Sequence, residues 1–166
     1  MLKIIFCAYN EAQNLNQLLT NLTFELDKLG RDFEIIVCLD GSSDESFSLL
    51  TDFQKKYPIK ILPLKNQRGL GTAFKRIFLE ILKDCKADDL IISLDADNTH
   101  NPNQIPQMLT HFEKNNLDFL VASRFCDISV IAEFPSHRKL ISKSISLLLQ
   151  TLFPIKKISG KKLQDY

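Results

Sequence analysis

Short apolar runs alternate with helix-spaced stripes of leucine and isoleucine from the first residues onward, and this alternation restricts the chain to a mostly parallel sheet covered by helices. Residues 4–8, 33–39, 59–64, 90–94 and 119–122 read as strands. The second is continuously apolar after Glu34, as a strand buried on both faces requires. Asn10 followed by Gln13 predicts a capping box, opening a helix to about residue 29 with Leu15, Leu18, Leu19, Leu22 and Leu26 at helical spacing and Gly30 as its stop. Ser42 or Ser43 caps a second helix that ends near Tyr57, where Pro58 stops it. A third is expected over about 72–83 and a fourth over 103–114, the latter favoured by Pro102 and bringing Ile105, Met108, Leu109 and Phe112 onto one face. The expected fold class is α/β, with helices on both faces of the sheet.

Ligands of such sheets collect at the carboxyl ends of the strands. The polar clusters of this chain fall at those positions: Tyr9-Asn10-Glu11, Asp40-Gly41-Ser42, Asn66-Gln67-Arg68-Gly69, Asp95-Ala96-Asp97 and Ser123-Arg124 follow the five runs in order. Five strand ends are therefore expected to converge on one cleft.

Within that cleft the pair Asp95 and Asp97 carries the most chemistry. Strand periodicity places both carboxylates on one side of an extended backbone where a buried strand reaches solvent. Two like charges held there call for a cation between them. Mg²⁺ or Mn²⁺, itself clamped to a substrate diphosphate, answers that need, because hard cations take carboxylate oxygen and keep phosphate and water as their other ligands. An Asp-x-Asp after a strand is equally a turn signal or a helix cap. Asp40 can accept hydrogen bonds from a base or sugar, and Gly41 lets backbone approach a ligand closely, although Asp-Gly-Ser is also plain turn chemistry. Gly69-Leu70-Gly71 lacks the full dinucleotide fingerprint, while Arg68 beside it suits a diphosphate. Arg124, just beyond the fifth run, can meet a phosphate with its bidentate fork or pair with an Asp.

The 166 residues suit one domain, 45% apolar with twelve Phe, large enough for a real core. Cys7, Cys38, Cys85 and Cys126 lack metal spacing and read as reduced core or near-core thiols of a cytosolic protein. Met1-Leu2-Lys3 runs straight into Ile4-Ile5-Phe6, which predicts no secretory leader, and no apolar stretch reaches transmembrane length. Charge is uneven. From His137 to Gln164 there are seven Lys or Arg, Arg138 the first, and no acid, whereas residues 1–136 carry 14 basic and 19 acidic side chains. Such a tail is drawn to anionic lipid or a phosphate-bearing partner, or is a solvated helix face. Leu140, Ile141, Ile145, Leu148, Leu149, Leu152 and Phe153 repeat at helical spacing over residues 139–153, an amphipathic helix packed on the domain or lying in a membrane surface. The organisation expected is a core over 1–135 and a basic, amphipathic segment over 136–166.

The order of these motifs resembles the nucleotide-sugar glycosyltransferases of family 2, nearest to the branch that includes dolichyl-phosphate mannosyltransferase and bacterial undecaprenyl-phosphate sugar transferases. The resemblance rests on Ala8-Tyr9-Asn10-Glu11, on residues 34–44, on residues 66–73, on residues 95–102 and on Ala122-Ser123-Arg124-Phe125. It implies a GT-A type fold, a nucleotide-sugar-binding catalytic core over 1–135 with an incomplete acceptor-side segment over 136–166, and inverting transfer of a sugar from a nucleoside-diphosphate sugar to a polyprenyl phosphate. It further implies nucleoside contacts for Ala8, Tyr9, Glu11 and Asp40, and metal or diphosphate contacts for Asp95 and Asp97. Arg124, with Ser123 beside it, and Arg138 fall on positions that bind the acceptor phosphate. The partners implied are the sugar nucleotide, the lipid phosphate and an anionic membrane surface, with the protein peripheral on the cytoplasmic face; no nucleic acid is expected. A phosphate nucleophile is already ionised near neutral pH and needs less help from a general base than a sugar hydroxyl, so no base is nominated for it, whereas a hydroxyl acceptor would make Asp165 the candidate base. Leu39 stands where the family carries a first Asp, and Thr99 where relatives carry Gln. Residues 163–166 resemble the opening of the family's Asp-Tyr-Thr-Cys-Gly-Tyr-Arg-like segment, so a separate or missing C-terminal segment is expected. The rival readings are a family-2 enzyme with a glycan hydroxyl acceptor and a truncated, inactive nucleotide-binding module.

Overall fold

Side chains alternate across a strand, and along the first strand, β1 (Leu2–Ala8), Ile4, Phe6 and Ala8 feed one core while Ile5 feeds another. The computed structural model describes residues 1–122. The chain divides into two units, Met1–Thr110 and His111–Tyr166. The boundary expected at 135/136, the helix expected over 139–153 and the basic tail lie outside the described residues.

Strands β2 (Phe33–Asp40), β3 (Ile59–Leu64) and β4 (Leu90–Ser93) join β1 in one sheet of order β3-β2-β1-β4, every pair parallel. Helices α1 (Ala12–Leu29), α2 (Ser46–Gln54) and α4 (Ile105–Lys114) follow β1, β2 and β4, the last through a 3₁₀ turn at Pro102–Gln104; α3 (Leu70–Ile81) follows β3. Leu15, Leu18, Leu19, Leu22 and Leu26 of α1, Leu50 of α2, and Ile105 and Leu109 of α4 pack on Ile4, Phe6, Ile35 and Val37. Ala73, Ile77 and Ile81 of α3 cover the opposite face through Ile5, Ile36, Cys38 and Leu62. The five α1 leucines are all fully buried, and each contributes roughly 1.5–3 kcal/mol by leaving water. Gly30 ends α1 at φ +60°, a left-handed conformation that glycine adopts at the least cost, and its N–H reaches the Asp27 carbonyl at 3.2 Å.

At the opposite end of the sheet from the strand termini that matter for function, Lys3 is fully buried between Glu34 at 3.4 Å and Asp84 at 3.1 Å. Its partners keep contact with water, so the charge is shared with solvent through them. Among the described residues no helix is long and apolar enough to cross a membrane.

Several expected boundaries move. Helix α3 begins at Leu70 and not Thr72, and β4 ends at Ser93. Helix α2 begins at Ser46, so neither Ser42 nor Ser43 is its cap. Residues 119–122 form no strand, and Phe119 and Val121 are exposed. An apolar run becomes a strand only where a ladder partner takes its backbone groups, which periodicity over four residues cannot register.

Candidate functional site

Strand β4 follows β3 in sequence yet pairs with β1, so the strand order reverses beside β1. Both connections lead to helices that join the same core, and their loops lie side by side at the carboxyl ends of β1 and β4, where ligands of such sheets collect. The first is Tyr9-Asn10-Glu11 and the second runs from Asp95 to His100. Cys7, next to last in β1, has its thiol pushed up to about 12 by burial first and then by the negative fields of Cys38, Asp40 and Asp95. The acidic ends of β2 and β4 therefore gather around the end of β1.

The Asp95–His100 loop closes on itself. Leu94 N–H donates to the Ile5 carbonyl at 3.0 Å, and the next amide, that of Asp95, donates to His100 Nδ1 at 3.0 Å. Asp97 Oδ1 accepts from the Thr99 hydroxyl at 2.7 Å and the Thr99 amide at 3.0 Å. Burial works against the Asp97 charge, but these two Thr99 donors, with help from His100, hold its carboxyl below the ordinary range. Asn98, at φ +61°, ties the loop to α1 through Nδ2 and the Asn14 carbonyl at 3.1 Å. Asn101 closes it by accepting from Asn103 N–H at 3.1 Å. Leu94 and Ala96 are buried while Asp95 and Asp97 are exposed. Both carboxylates thus reach solvent together, as expected, but through a turn after β4 and not along extended backbone.

A second network knits the loops after β1 and β2. Asn10, at φ +54°, donates its N–H to Ser42 Oγ at 3.1 Å and accepts from the Ser43 amide at 2.8 Å. Glu11 N–H donates to Ser46 Oγ at 3.2 Å, and Ala12 N–H to Asp44 Oδ2 at 2.9 Å. Asp44 Oδ1 also accepts from Ser46 N–H at 3.1 Å, so one carboxylate caps α1 and α2 together. Burial opposes the Asp44 charge, and the Ser46 side chain with the Ala12 and Ser46 amides outweighs it and holds the carboxyl low. The expected Asn10/Gln13 capping box is absent: the N-cap of α1 is Glu11, and the capping groups come from the other loop.

Asp40 is buried at 5% exposure. Its Oδ1 accepts from Arg68 N–H at 2.7 Å and its Oδ2 from Gly69 N–H at 2.8 Å, which locks the 66–69 loop to the end of β2. Gly41, at φ +74°, makes that possible, because a Cβ there would lie 2.4 Å from Gln67 N and 2.5 Å from Asn66 C. The close backbone approach expected of a ligand at Gly41 is filled by this chain's own Asn66 and Gln67.

Of the residues singled out from sequence, Tyr9, Asp95, Asp97 and Arg68 are exposed and Glu11 is half-buried, its Oε2 accepting from Asn14 Nδ2 at 2.6 Å. Ala8 is buried in the core, so its methyl group is a packing element. Ser123, Arg124, Arg138 and Asp165 lie outside the described residues. Asp44, Ser46, Asn98 and His100 carry the loop geometry and were not assigned roles from sequence. For Asp44 a local signal existed, a carboxylate two residues before a helix start. Among the described residues no group of three His, Cys, Asp or Glu gathers as a metal cage. Two exposed carboxylates with uncommitted oxygens nevertheless fit a hard cation whose remaining ligands are diphosphate and water.

The family model for glycosyl transferase family 2 matches residues 3–162. Dolichol-phosphate mannosyltransferase of Pyrococcus furiosus is 30% identical over 151 residues, 91% of this chain and 41% of that protein. Dolichyl-phosphate beta-glucosyltransferase of Dictyostelium discoideum is 30% identical over 164 residues, 91% of this chain and 49% of that protein. The chain therefore spans less than half the length of these relatives. The crystal structure of S. aureus TarS 1-349 in complex with UDP-GlcNAc superposes with a TM-score of 0.52 at 19% identity, covering 69% of this chain and 32% of that one, a likeness of fold. With a parallel α/β sheet, polar loops gathered at its switch point and a family match over nearly its whole length, the chain belongs to glycosyl transferase family 2.

Proposed function

We propose that this chain supplies the sugar-nucleotide half of an inverting transferase that moves a sugar from a nucleoside diphosphate to a polyprenyl phosphate. The observation that carries the reading is the closed Asp95–His100 loop, which offers two solvent-facing carboxylates at the switch point of a family-2 sheet. Asp95 and Asp97 hold Mg²⁺ or Mn²⁺, which when bound neutralises charge on the leaving diphosphate. Asp97 stays ionised through its Thr99 bonds, so it presents charge and not a proton.

Tyr9, Glu11 and the main chain of Ala8 serve the nucleoside side. Asp40 serves the same side through its remaining lone pairs and by fixing the loop that carries Arg68 toward the diphosphate. By the family resemblance, Ser123, Arg124 and Arg138 receive the acceptor phosphate, whose repulsion from the diphosphate must be offset by fixed positive charge. The acid-free stretch from His137 to Gln164 draws the protein to the anionic cytoplasmic face of a membrane. Relatives of both kinds named above carry dolichol or dolichyl phosphate in their names, which supports a lipid-phosphate acceptor.

The test is transfer of labelled sugar from GDP- and UDP-sugars to undecaprenyl or dolichyl phosphate in vesicles, beside a free glycan acceptor, using the chain together with any segment that follows it. Label that enters the solvent-extractable lipid phosphate supports the reading. Label found only on the glycan moves the acceptor to a hydroxyl, and no transfer to either acceptor overturns the proposal.

A further inference from the structure

We propose that His100 is a positioning residue that fixes Asp95 for cation binding, an inference that rests on reading Asp95 and Asp97 as the cation-holding pair. Asp95 lies one residue past the last described bond between β4's end and β1, Leu94 N–H to Ile5 carbonyl at 3.0 Å. No strand partner takes its amide. The His100 ring takes it instead, through Nδ1 at 3.0 Å. Acceptance at Nδ1 puts the neutral ring's proton on Nε2, and Nε2 lies 3.6 Å from Asp95 Oδ2. One imidazole thus holds the Asp95 amide across a gap of five residues and brings its Nε2 edge up to the Asp95 carboxylate without a direct hydrogen bond to it.

The ring can do this because its own position is anchored on both sides. Asn98 holds the preceding residues to α1 through the Asn14 carbonyl, and Asn101 caps the turn that buries Pro102 immediately after. Thr99 bonds Asp97 in the same loop, so the two acidic residues are each tied to a neighbour, Asp97 through its carboxylate by Thr99 and Asp95 through its amide by His100. Partners that orient a ligating group rather than touch the cation themselves matter for affinity, and their loss typically weakens metal binding by 10–100-fold. Thr99 and His100 are such partners, Thr99 through the Asp97 carboxylate and His100 through the main chain that carries Asp95.

The test uses the full chain and three variants, His100→Ala, His100→Asn and Asp95→Asn. Mn²⁺ uptake in the presence of GDP or UDP is read from the electron paramagnetic resonance signal of free Mn²⁺, and exchange of the Asp95 amide is read by NMR without metal. His100→Ala should weaken Mn²⁺ binding roughly tenfold or more and speed exchange of the Asp95 amide. His100→Asn, whose side-chain oxygen can accept from that amide, should recover most of both. Wild-type Mn²⁺ affinity in His100→Ala overturns the inference, as does unchanged amide exchange. Equal losses in the Ala and Asn variants with lowered melting temperatures reduce His100 to a structural residue and overturn it as well. Asp95→Asn separates the two levels: if it keeps wild-type Mn²⁺ affinity, the cation-holding reading of Asp95 fails, whereas loss there with no effect of His100→Ala removes only the positioning role.

Discussion

Replacing Gly41 by Ala should be far more damaging than replacing Gly30, although both residues have left-handed backbones, at φ +74° and +60°. Placing an L side chain in that region costs roughly 1–2 kcal/mol at either site. At Gly30 nothing lies within 4 Å of the added Cβ, so the backbone cost is the whole cost. At Gly41 the Cβ would stand 2.4 Å from Gln67 N and 2.5 Å from Asn66 C, and these are backbone atoms that cannot rotate away. Reaching ordinary contact distance requires the 66–69 loop to move by about 1 Å. That loop is held by the two Asp40 bonds of 2.7 and 2.8 Å, and losing one hydrogen bond to a charged group costs about 1.5–3 kcal/mol. Gly41→Ala should therefore lose about 2.5–5 kcal/mol against about 1–2 for Gly30→Ala. In melting temperature, at about 2–4 °C per kcal/mol for a chain of this size, that is a drop of about 5–20 °C against about 2–8 °C. Thermal unfolding by circular dichroism measures both, and calorimetry with GDP and UDP should show weakened nucleotide binding for Gly41→Ala alone. Equal melting temperatures for the two variants would refute the close approach of the loop to Gly41.

Asp44→Ala removes the carboxylate that caps α1 and α2 together, and at about 0.5–2 kcal/mol per cap it should destabilise the protein by more than a single cap does; Asp44→Asn should restore part of the loss in urea unfolding. Glu80 has its carboxyl held down to about 2 by Lys83 first, at 2.6 Å, and by Lys60 at 3.0 Å. A depressed carboxyl stabilises the fold fully above its ordinary pKa of 4.5 and loses that contribution as pH falls to about 2. Glu80→Gln should flatten the fall of melting temperature across that window, and an unchanged slope would remove Glu80 from the acid response.

The parts of the fold that local periodicity controls were legible. Leu15, Leu18, Leu19, Leu22 and Leu26 define α1 by spacing alone, and Gly30 marks its end by backbone chemistry that involves no distant partner. The start of α1 was not legible in the same way. Its free amides are satisfied by Asp44 and Ser46 across a sequence gap of more than 30 residues, so the capping pattern at Asn10 and Gln13 pointed to the wrong donor and acceptor, whereas the start of α2 carried a local signal in Asp44. The candidate site shows the same division. Exposure of Asp95 and Asp97 followed from burial of Leu94 and Ala96, which alternate with them in sequence. The engagement of Asp40 with Arg68 and Gly69 depends on how β2 and β3 lie in register, with Asp40 opposite Leu64, and no local pattern carries that register. His100 returning to Asp95 is likewise a loop closure, visible only once the turn has formed.

The central claim is that Asp95 and Asp97 together hold the cation that binds the nucleoside diphosphate. Isothermal titration of GDP and UDP into wild-type protein, Asp95→Asn and Asp97→Asn, each with Mn²⁺ and with Mn²⁺ removed by chelator, tests it most directly. Wild type should bind one of the diphosphates at least roughly tenfold more tightly with Mn²⁺, and both variants should lose that gain while keeping the metal-free affinity. Retention of the full Mn²⁺-dependent gain in both variants contradicts the account and moves the cation away from this loop.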